Sequence, residues 1–110
     1  MASGDVFPKR LGGPTQLGTT ATTLITVPAS HQYTIKQLLI CNTDGTDRTV
    51  TIGVSAVTAA AAVTFNLAIG AYDTIVLDTG LVLDAGETLQ GVSDTASKVT
   101  VTATGWDRTI

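Results

Sequence analysis

Threonine is interleaved with apolar residues in three segments of the chain, residues 22–27, 49–54 and 99–104, and the pattern is cleanest in the last. In residues 99–104 the odd positions hold Val, Val and Ala, and the even positions hold threonine. Successive side chains of a β-strand point to opposite faces of the sheet, so each segment is predicted to be a strand with one apolar and one hydroxylated face. Most of the threonine content follows from this, because threonine fits a half-exposed sheet face.

Turn residues separate the predicted strands at short intervals. Pro28 ends the first strand, Asp44-Gly45 supplies the positive φ that tight hairpin turns require, and a further turn is expected at Thr79-Gly80. Strands about 8–12 residues apart indicate an antiparallel sandwich or barrel, since parallel strands need crossover helices. The predicted fold is therefore all-β, an antiparallel β-sandwich, jelly-roll-like, with about eight short strands. These strands span residues 20–27, 33–42, 48–55, 62–68, 72–78, 81–84, 87–93 and 97–105.

The first 18 residues differ from the rest of the chain, because their apolar residues Val6, Phe7 and Leu11 show no periodicity. Glycines and prolines interrupt any regular element there. Two interpretations stay open, a frayed terminus or an arm that docks on a neighbouring molecule and becomes ordered on assembly. We predict an extended N-terminal arm over residues 1–18 and a single β-sandwich domain over residues 19–110. The interrupting residues are Gly4, Pro8, Gly12, Gly13, Pro14 and Gly18.

Composition favours a protein that is covered by partners. Only 14% of the 110 residues are charged, where a soluble domain usually has about 25%, and the mean hydropathy is +0.33. No apolar run approaches the ~20 residues of a membrane helix, so we expect protein partners to cover the apolar surface. The net charge of −3 argues against nucleic acid as the main ligand and against an anionic membrane, because both favour basic patches.

Residues that would support catalysis or metal binding are few. His31, the one histidine, follows Ser30 in a predicted turn that lacks the strained geometry of a nucleophile elbow. One histidine and one cysteine do not supply a zinc site, and Cys41 is predicted to be a buried small hydrophobe. Turn formation explains the acidic residues, although a calcium ion in the loop with Asp44 and Asp47 stays open. We therefore expect no enzymatic activity, no metal site and no cofactor.

Trp106 follows the last predicted strand. A tryptophan there either caps the open end of a sandwich core or anchors an interface, where this residue is enriched. Trp106 also belongs, with Tyr33 and Tyr72, to the aromatic residues that a carbohydrate-binding surface would have to expose.

Four stretches follow one another in a characteristic order. Thr-Val-Pro-Ala at 26–29 leads into a long apolar strand that ends at Asn42, and Thr-Val-Thr-Ile-Gly-Val follows at 49–54. Gly-Leu-Val-Leu-Asp-Ala-Gly-Glu-Thr-Leu occupies 80–89, and Val-Thr-Val-Thr-Ala-Thr-Gly closes the series at 99–105. This order resembles small β-sandwich virion proteins of tailed bacteriophages, which include capsid decoration (cement) proteins and small tail or fibre-associated proteins. The resemblance covers roughly residues 11–105 and does not separate head from tail.

The resemblance implies a structural protein without catalytic residues. We expect a capsid decoration protein that binds the outer capsid lattice and stabilises it, located in the virion after synthesis in the host cytoplasm. Its expected partners are copies of itself, with a trimer favoured, and the major capsid protein or other virion proteins. A small tail, collar or fibre protein and a carbohydrate-binding adhesion module are the alternatives. The residues expected to contact the partner are Phe7, Lys9, Arg10, Leu11 and Trp106.

Overall fold

The computed structural model describes residues 6–110, which form eight β-strands and one short 3₁₀ helix. The helix spans Ala59–Ala61, in the alanine-rich segment between the fourth and fifth strands. The strands are β1 (Val6–Gln16), β2 (Thr22–Thr26), β3 (His31–Asn42), β4 (Arg48–Val54), β5 (Ala62–Ile69), β6 (Thr74–Leu83), β7 (Thr88–Ser93) and β8 (Val99–Thr109).

The strands form two four-stranded antiparallel sheets. Sheet 1 has the order β1-β8-β3-β6, and sheet 2 has the order β2-β7-β4-β5. The pairing is nested, because β1 pairs with β8, β2 with β7, β3 with β6 and β4 with β5. Nested pairing of eight strands in two sheets is the jelly roll, so the all-β, jelly-roll-like sandwich predicted from the sequence is confirmed.

The core consists of apolar side chains that both sheets direct inward. In β8 the predicted alternation holds, because Val99, Val101 and Ala103 are buried while the threonines between them are partly exposed. Full burial of an aliphatic side chain of this kind contributes about 1.5–3 kcal/mol. The core residues with no exposed surface are Ile35, Leu38, Ile40, Ile52, Ile69, Leu83, Leu89 and Val99.

The segment Val6–Gln16, expected as part of an arm without regular structure, is strand β1 at the edge of sheet 1. Its glycines permit this strand. A Cβ on Gly12 would lie 2.5 Å from the carbonyl oxygen of Leu24, and Gly13 has a φ of +86°. An edge position also tolerates proline. The expectation that glycine and proline interrupt every regular element is therefore wrong for this segment, while residues 1–5 of the predicted arm lie outside the described residues.

A β-bulge at Lys36 changes which residues of β3 face the core. Tyr33 is buried before the bulge, and Leu38 and Ile40 are buried after it. Strict alternation from Tyr33 would direct Cys41 inward, but the bulge moves the alternation by one residue. Cys41 therefore lies half-buried on the outer face of sheet 1, and the prediction that it is buried is wrong.

The same bulge explains why two predicted strands, 72–78 and 81–84, are one strand in the structure. Thr79 and Gly80 lie within β6 opposite the bulge of β3. The Thr79 hydroxyl donates a hydrogen bond to the carbonyl oxygen of Ile35. The Thr-Gly pair, predicted as a turn, therefore accommodates an irregularity inside a continuous strand, a recognised role of glycine in strands.

Asn42 is fully buried at the end of β3 and connects the following turn to the end of β5. Its side-chain oxygen accepts a hydrogen bond from the backbone N–H of Asp44 at 3.0 Å. Its Nδ2 lies 2.9 Å from the carbonyl oxygen of Thr46, 3.1 Å from that of Ile69 and 3.2 Å from that of Gly70. Buried carbonyl groups require donors, and the Asn42 amide supplies one to the turn and to the end of β5.

We predict that Asn42→Ala lowers the free energy of unfolding by about 2–4 kcal/mol, because buried carbonyl oxygens lose their donor. Urea unfolding followed by circular dichroism measures this effect. Thr46→Ala is the matched control, because the side chain of Thr46 is exposed and Asn42 binds only the backbone carbonyl oxygen of this residue, which alanine keeps. A loss below about 0.5 kcal/mol for Asn42→Ala, equal to that of the control, would contradict the prediction.

Candidate functional site

The paired ends of β1 and β8 place the predicted contact residues on two opposite surfaces of sheet 1. Phe7 is opposite Asp107, and Pro8 is opposite Trp106. Cross-strand partners share a face and adjacent residues alternate, so Phe7 lies on the inner face, which is directed toward sheet 2. Pro8 and Trp106 lie on the outer face.

The inner face contains a buried carboxylate with two basic partners. Asp107 is buried, and one of its oxygens lies 2.7 Å from Nδ1 of His31 while the other lies 3.3 Å from Nζ of Lys9. An ionised carboxylate only accepts hydrogen bonds, so His31 donates through Nδ1. The ammonium group of Lys9 also lies 5.7 Å from the centre of the Tyr33 ring, within the range of a cation–π contact.

Burial and hydrogen bonding act in opposite directions on Asp107. Burial acts to raise the pKa of Asp107, but hydrogen bonds from His31 and Lys9 outweigh it and lower that pKa below its usual value. The hydrogen bond to Asp107 in turn raises the pKa of Lys9. Both shifts favour the charged forms, so Asp107 and Lys9 are an ion pair at neutral pH that joins β8 to β1. The hydrogen bond between His31 and Asp107 connects β3 to the same cluster.

The outer face presents Trp106 among basic side chains. Trp106 is 39% exposed, between Pro8 on β1 and Thr34 on β3. An open hollow of about 420 Å³ lies on one side of the indole, and its lining includes Arg10 and Lys36. A second hollow of about 400 Å³ lies on the other side and is lined in part by Arg108. We call Trp106, Arg10, Lys36 and Arg108 the Trp106 patch.

The five predicted contact residues thus occupy three environments. Phe7 and Lys9 are exposed on the inner face, and Arg10 and Trp106 lie on the outer face. Leu11 is half-buried and packs against the core. The interpretation of Trp106 as a cap on the core is wrong, because its side chain lies on the outer face of sheet 1, away from the core.

The three aromatic residues considered for carbohydrate binding do not share a surface. Tyr33 is 5% exposed and belongs to the core. Tyr72 is 76% exposed, but it precedes β6 at the opposite end of sheet 1 from Trp106. A binding surface formed by all three rings is therefore not present in this fold.

The acidic residues considered for a metal site are explained by other contacts or are too far apart. Within residues 6–110, no group of three or more His, Cys, Asp or Glu side chains is placed to hold a metal ion. The side chain of Asp44 accepts hydrogen bonds from Arg48, which lower the pKa of that carboxyl group. No helix in this part of the chain has the length and hydropathy needed to cross a bilayer.

Three residues of these clusters, Lys36, Asp107 and Arg108, carry no signal in the sequence that predicts a site. Each becomes part of a cluster only through the pairing of β8 with both β1 and β3. The alternation in residues 99–104 continues through residue 107, and this signal was sufficient to place Asp107 on the inner face. No local signal indicated its basic partners, which are 76 and 98 residues away in the chain.

We predict that Asp107 makes the free energy of unfolding depend on pH in the acidic range. Because the folded state lowers its pKa, its contribution is present above the ordinary carboxyl pKa of about 3.9 and is lost as the pH falls through and below that value. Asp107→Asn is expected to lower the free energy of unfolding at pH 7 by about 1–3 kcal/mol. The variant is also expected to lose less of this free energy than the unmodified chain as the pH falls from about 5 to 3.

Urea unfolding across this pH range measures both effects. Asp78→Asn is the control, since Asp78 is exposed and Asn keeps the oxygen that accepts from Gln37. An unchanged pH dependence in Asp107→Asn would contradict the assigned role of Asp107.

Comparison with known proteins concerns the fold. No protein-family model matches the sequence, and no curated protein matches it. The chain is similar to one in a structure of infectious bursal disease virus, Gt strain, with 13% identity, a TM-score of 0.47, and coverage of 94% of this chain and 32% of that one. It is also similar to a chain from Bacillus endospore appendages, described as a novel family of disulfide-linked pili, with 18% identity, a TM-score of 0.49, and coverage of 99% and 92%.

Proposed function

We propose that this protein is a structural virion protein of the capsid decoration (cement) type, which binds the outer surface of a capsid lattice and stabilises it. The proposal also includes self-association on the lattice, with a trimer as the favoured state. Its support is the resemblance in sequence order to small phage virion proteins, together with one observation on the surface of sheet 1.

That observation is the exposed apolar end of β1. Phe7 lies on the inner face of sheet 1 yet remains 45% exposed, so sheet 2 does not cover this part of the sheet. Val6, beside it, is exposed on the outer face. An aromatic residue that stays uncovered on the inner face of a sheet, in a chain with few charges, is typical of a contact surface. We assign the Phe7 surface on the inner face of β1 to the capsid contact.

Binding of this kind stabilises a shell by mass action. A protein that binds the assembled lattice and not its free subunits adds RT ln(1 + [L]/Kd) to the stability of the lattice. If each oligomer makes several such contacts, effective concentration strengthens weak individual contacts. A small apolar surface per chain is therefore enough for a decoration protein, and no pocket or catalytic group is required.

We predict that Phe7→Ala weakens binding to purified particles by about 30-fold or more, because loss of an aromatic anchor at an interface costs about 2 kcal/mol or more. Co-sedimentation of labelled protein with particles that lack it measures the affinity. Phe65→Ala is the matched control, since Phe65 is 54% exposed on β5 at the edge of sheet 2. Equal binding by both variants would remove the Phe7 surface from the proposal.

Location within the particle tests the proposal independently. Gold-labelled antibody against this chain is expected to cover the shell of the particle in electron micrographs. Label confined to the tail would overturn the decoration role in favour of a tail, collar or fibre protein.

A further inference from the structure

The Trp106 patch concentrates cations that have no acidic partner among residues 6–110. Arg10, Lys36 and Arg108 form no ion pair and no side-chain hydrogen bond with any of residues 6–110, whereas Arg48 is paired with Asp44. The chain has six basic residues and a net charge of −3, so this is a local excess of positive charge on an acidic molecule.

The sheet geometry places these cations around the indole ring. Arg10 pairs with Thr104, two residues before Trp106 on β8, and Arg108 lies two residues after it. Residues two apart on a strand share a face at about 6.6–6.8 Å, and adjacent strands are about 4.8 Å apart. Lys36 lies at the bulge of β3, on the other side of β8 from β1. The patch is therefore an exposed aromatic ring with positive charges on three sides.

The opposite end of the molecule carries the complementary arrangement. Tyr72 is 76% exposed in the turn before β6, next to the exposed carboxylate of Asp73. Asp47 is also exposed and accepts a hydrogen bond from the backbone N–H of Ala71, so it lies in the same turn region. Each carboxylate uses one oxygen for a backbone hydrogen bond, which leaves the other free. We call Tyr72, Asp47 and Asp73 the Tyr72 end.

One molecule cannot bring these two surfaces together. Trp106 is level with Thr34 on β3, and Thr74, two residues after Tyr72, is level with Cys41. The seven residue steps from Thr34 to Cys41 span about 23 Å of extended strand. A contact between the two surfaces therefore requires two molecules.

We propose that the Trp106 patch of one molecule binds the Tyr72 end of a second copy of this chain. The aromatic rings supply the apolar contact, and Arg10, Lys36 and Arg108 pair with the carboxylates of Asp47 and Asp73. Arginine favours this role because its guanidinium group binds carboxylates in a bidentate manner. A contact between unlike surfaces is satisfied in a twofold dimer, a closed ring or an open chain.

Self-association is expected to weaken with salt, because the contact is between charged groups near the surface. Sedimentation velocity of the full chain at low and high ionic strength measures this dependence. A species above the 11.3 kDa monomer is expected at low salt, with dissociation as salt increases. A monomer at low salt and at concentrations up to about 1 mM would overturn the proposal.

Charge exchange between the two surfaces provides a specific test. Arg10→Glu with Arg108→Glu is expected to weaken self-association by about tenfold or more, and Asp47→Lys with Asp73→Lys is expected to do the same, because like charges then face each other. An equimolar mixture of the two double variants is expected to associate again. The Arg→Glu variant then has acidic groups at both surfaces and the Asp→Lys variant has basic groups at both, so each contact between one variant and the other joins opposite charges.

Two controls keep the outcome clear. Thr26→Glu with Ala68→Glu adds two negative charges on exposed positions of sheet 2 and is expected to associate like the unmodified chain. If lysine disturbs the Tyr72 end, Asp47→Asn with Asp73→Asn removes the charges and keeps the backbone hydrogen bonds. Folded double variants that associate normally alone, or fail to associate when mixed, would overturn the proposal.

This contact is separate from the capsid contact at Phe7, because Phe7 lies on the inner face of sheet 1 and the Trp106 patch lies on the outer face. Phe7→Ala is expected to leave the salt-dependent self-association unchanged. Loss of particle binding with intact self-association would therefore concern the capsid surface, and failure of the charge exchange would concern the Trp106 patch.

Discussion

The pairing of β3 with β8 runs over eleven residue pairs, from His31 opposite Thr109 to Asn42 opposite Val99. These two strands form the centre of sheet 1 and bring together chain segments that are far apart in sequence. Backbone approach is close at one point, where a Cβ on Gly105 would lie 1.9 Å from the carbonyl oxygen of Thr34. A side chain at position 105 is therefore incompatible with this register, and the bulge at Lys36 lies beside this contact.

The positions of the other groups follow from this register. Asp107 meets His31 and Lys9 because β1 and β3 lie on either side of β8. The bulge moves the alternation of β3 by one residue, so that Asn42, and not Cys41, is buried at its end. The outward alternation of β8 places Trp106 and Arg108 on the outer face. The buried polar residues Asn42 and Asp107 and the exposed Trp106 thus owe their positions to one strand pairing.

The surface of the molecule is unevenly charged along its length. Positive side chains gather around Trp106, and exposed carboxylates gather around Tyr72 at the other end. A jelly roll is well suited to such a distribution, because its long central strands separate the two ends while the core stays apolar. Different ends and faces can then serve different contacts, as we propose for the Phe7 surface with a lattice and for the Trp106 patch with a neighbouring copy.

The sequence by itself determined the strands and the class of fold. Alternation of apolar residues with threonine is a local property, and the strand tendency of each segment with its turn residues is enough for an all-β sandwich. The same local signals misjudged β1 and the middle of β6, because glycine indicates a turn or interruption unless close backbone approach or a bulge requires it. Neither condition is visible without the neighbouring strand.

Only the tertiary structure decided which residues meet. The partners of Asp107 and the cations around Trp106 come from strands separated by much of the chain, and their adjacency depends on the order of strands in sheet 1. A shift of one residue in register exchanges the two faces of a strand. The burial of Asn42 was therefore fixed by non-local pairing, because the bulge that moves the alternation of β3 exists only in its pairing with β6 and β8.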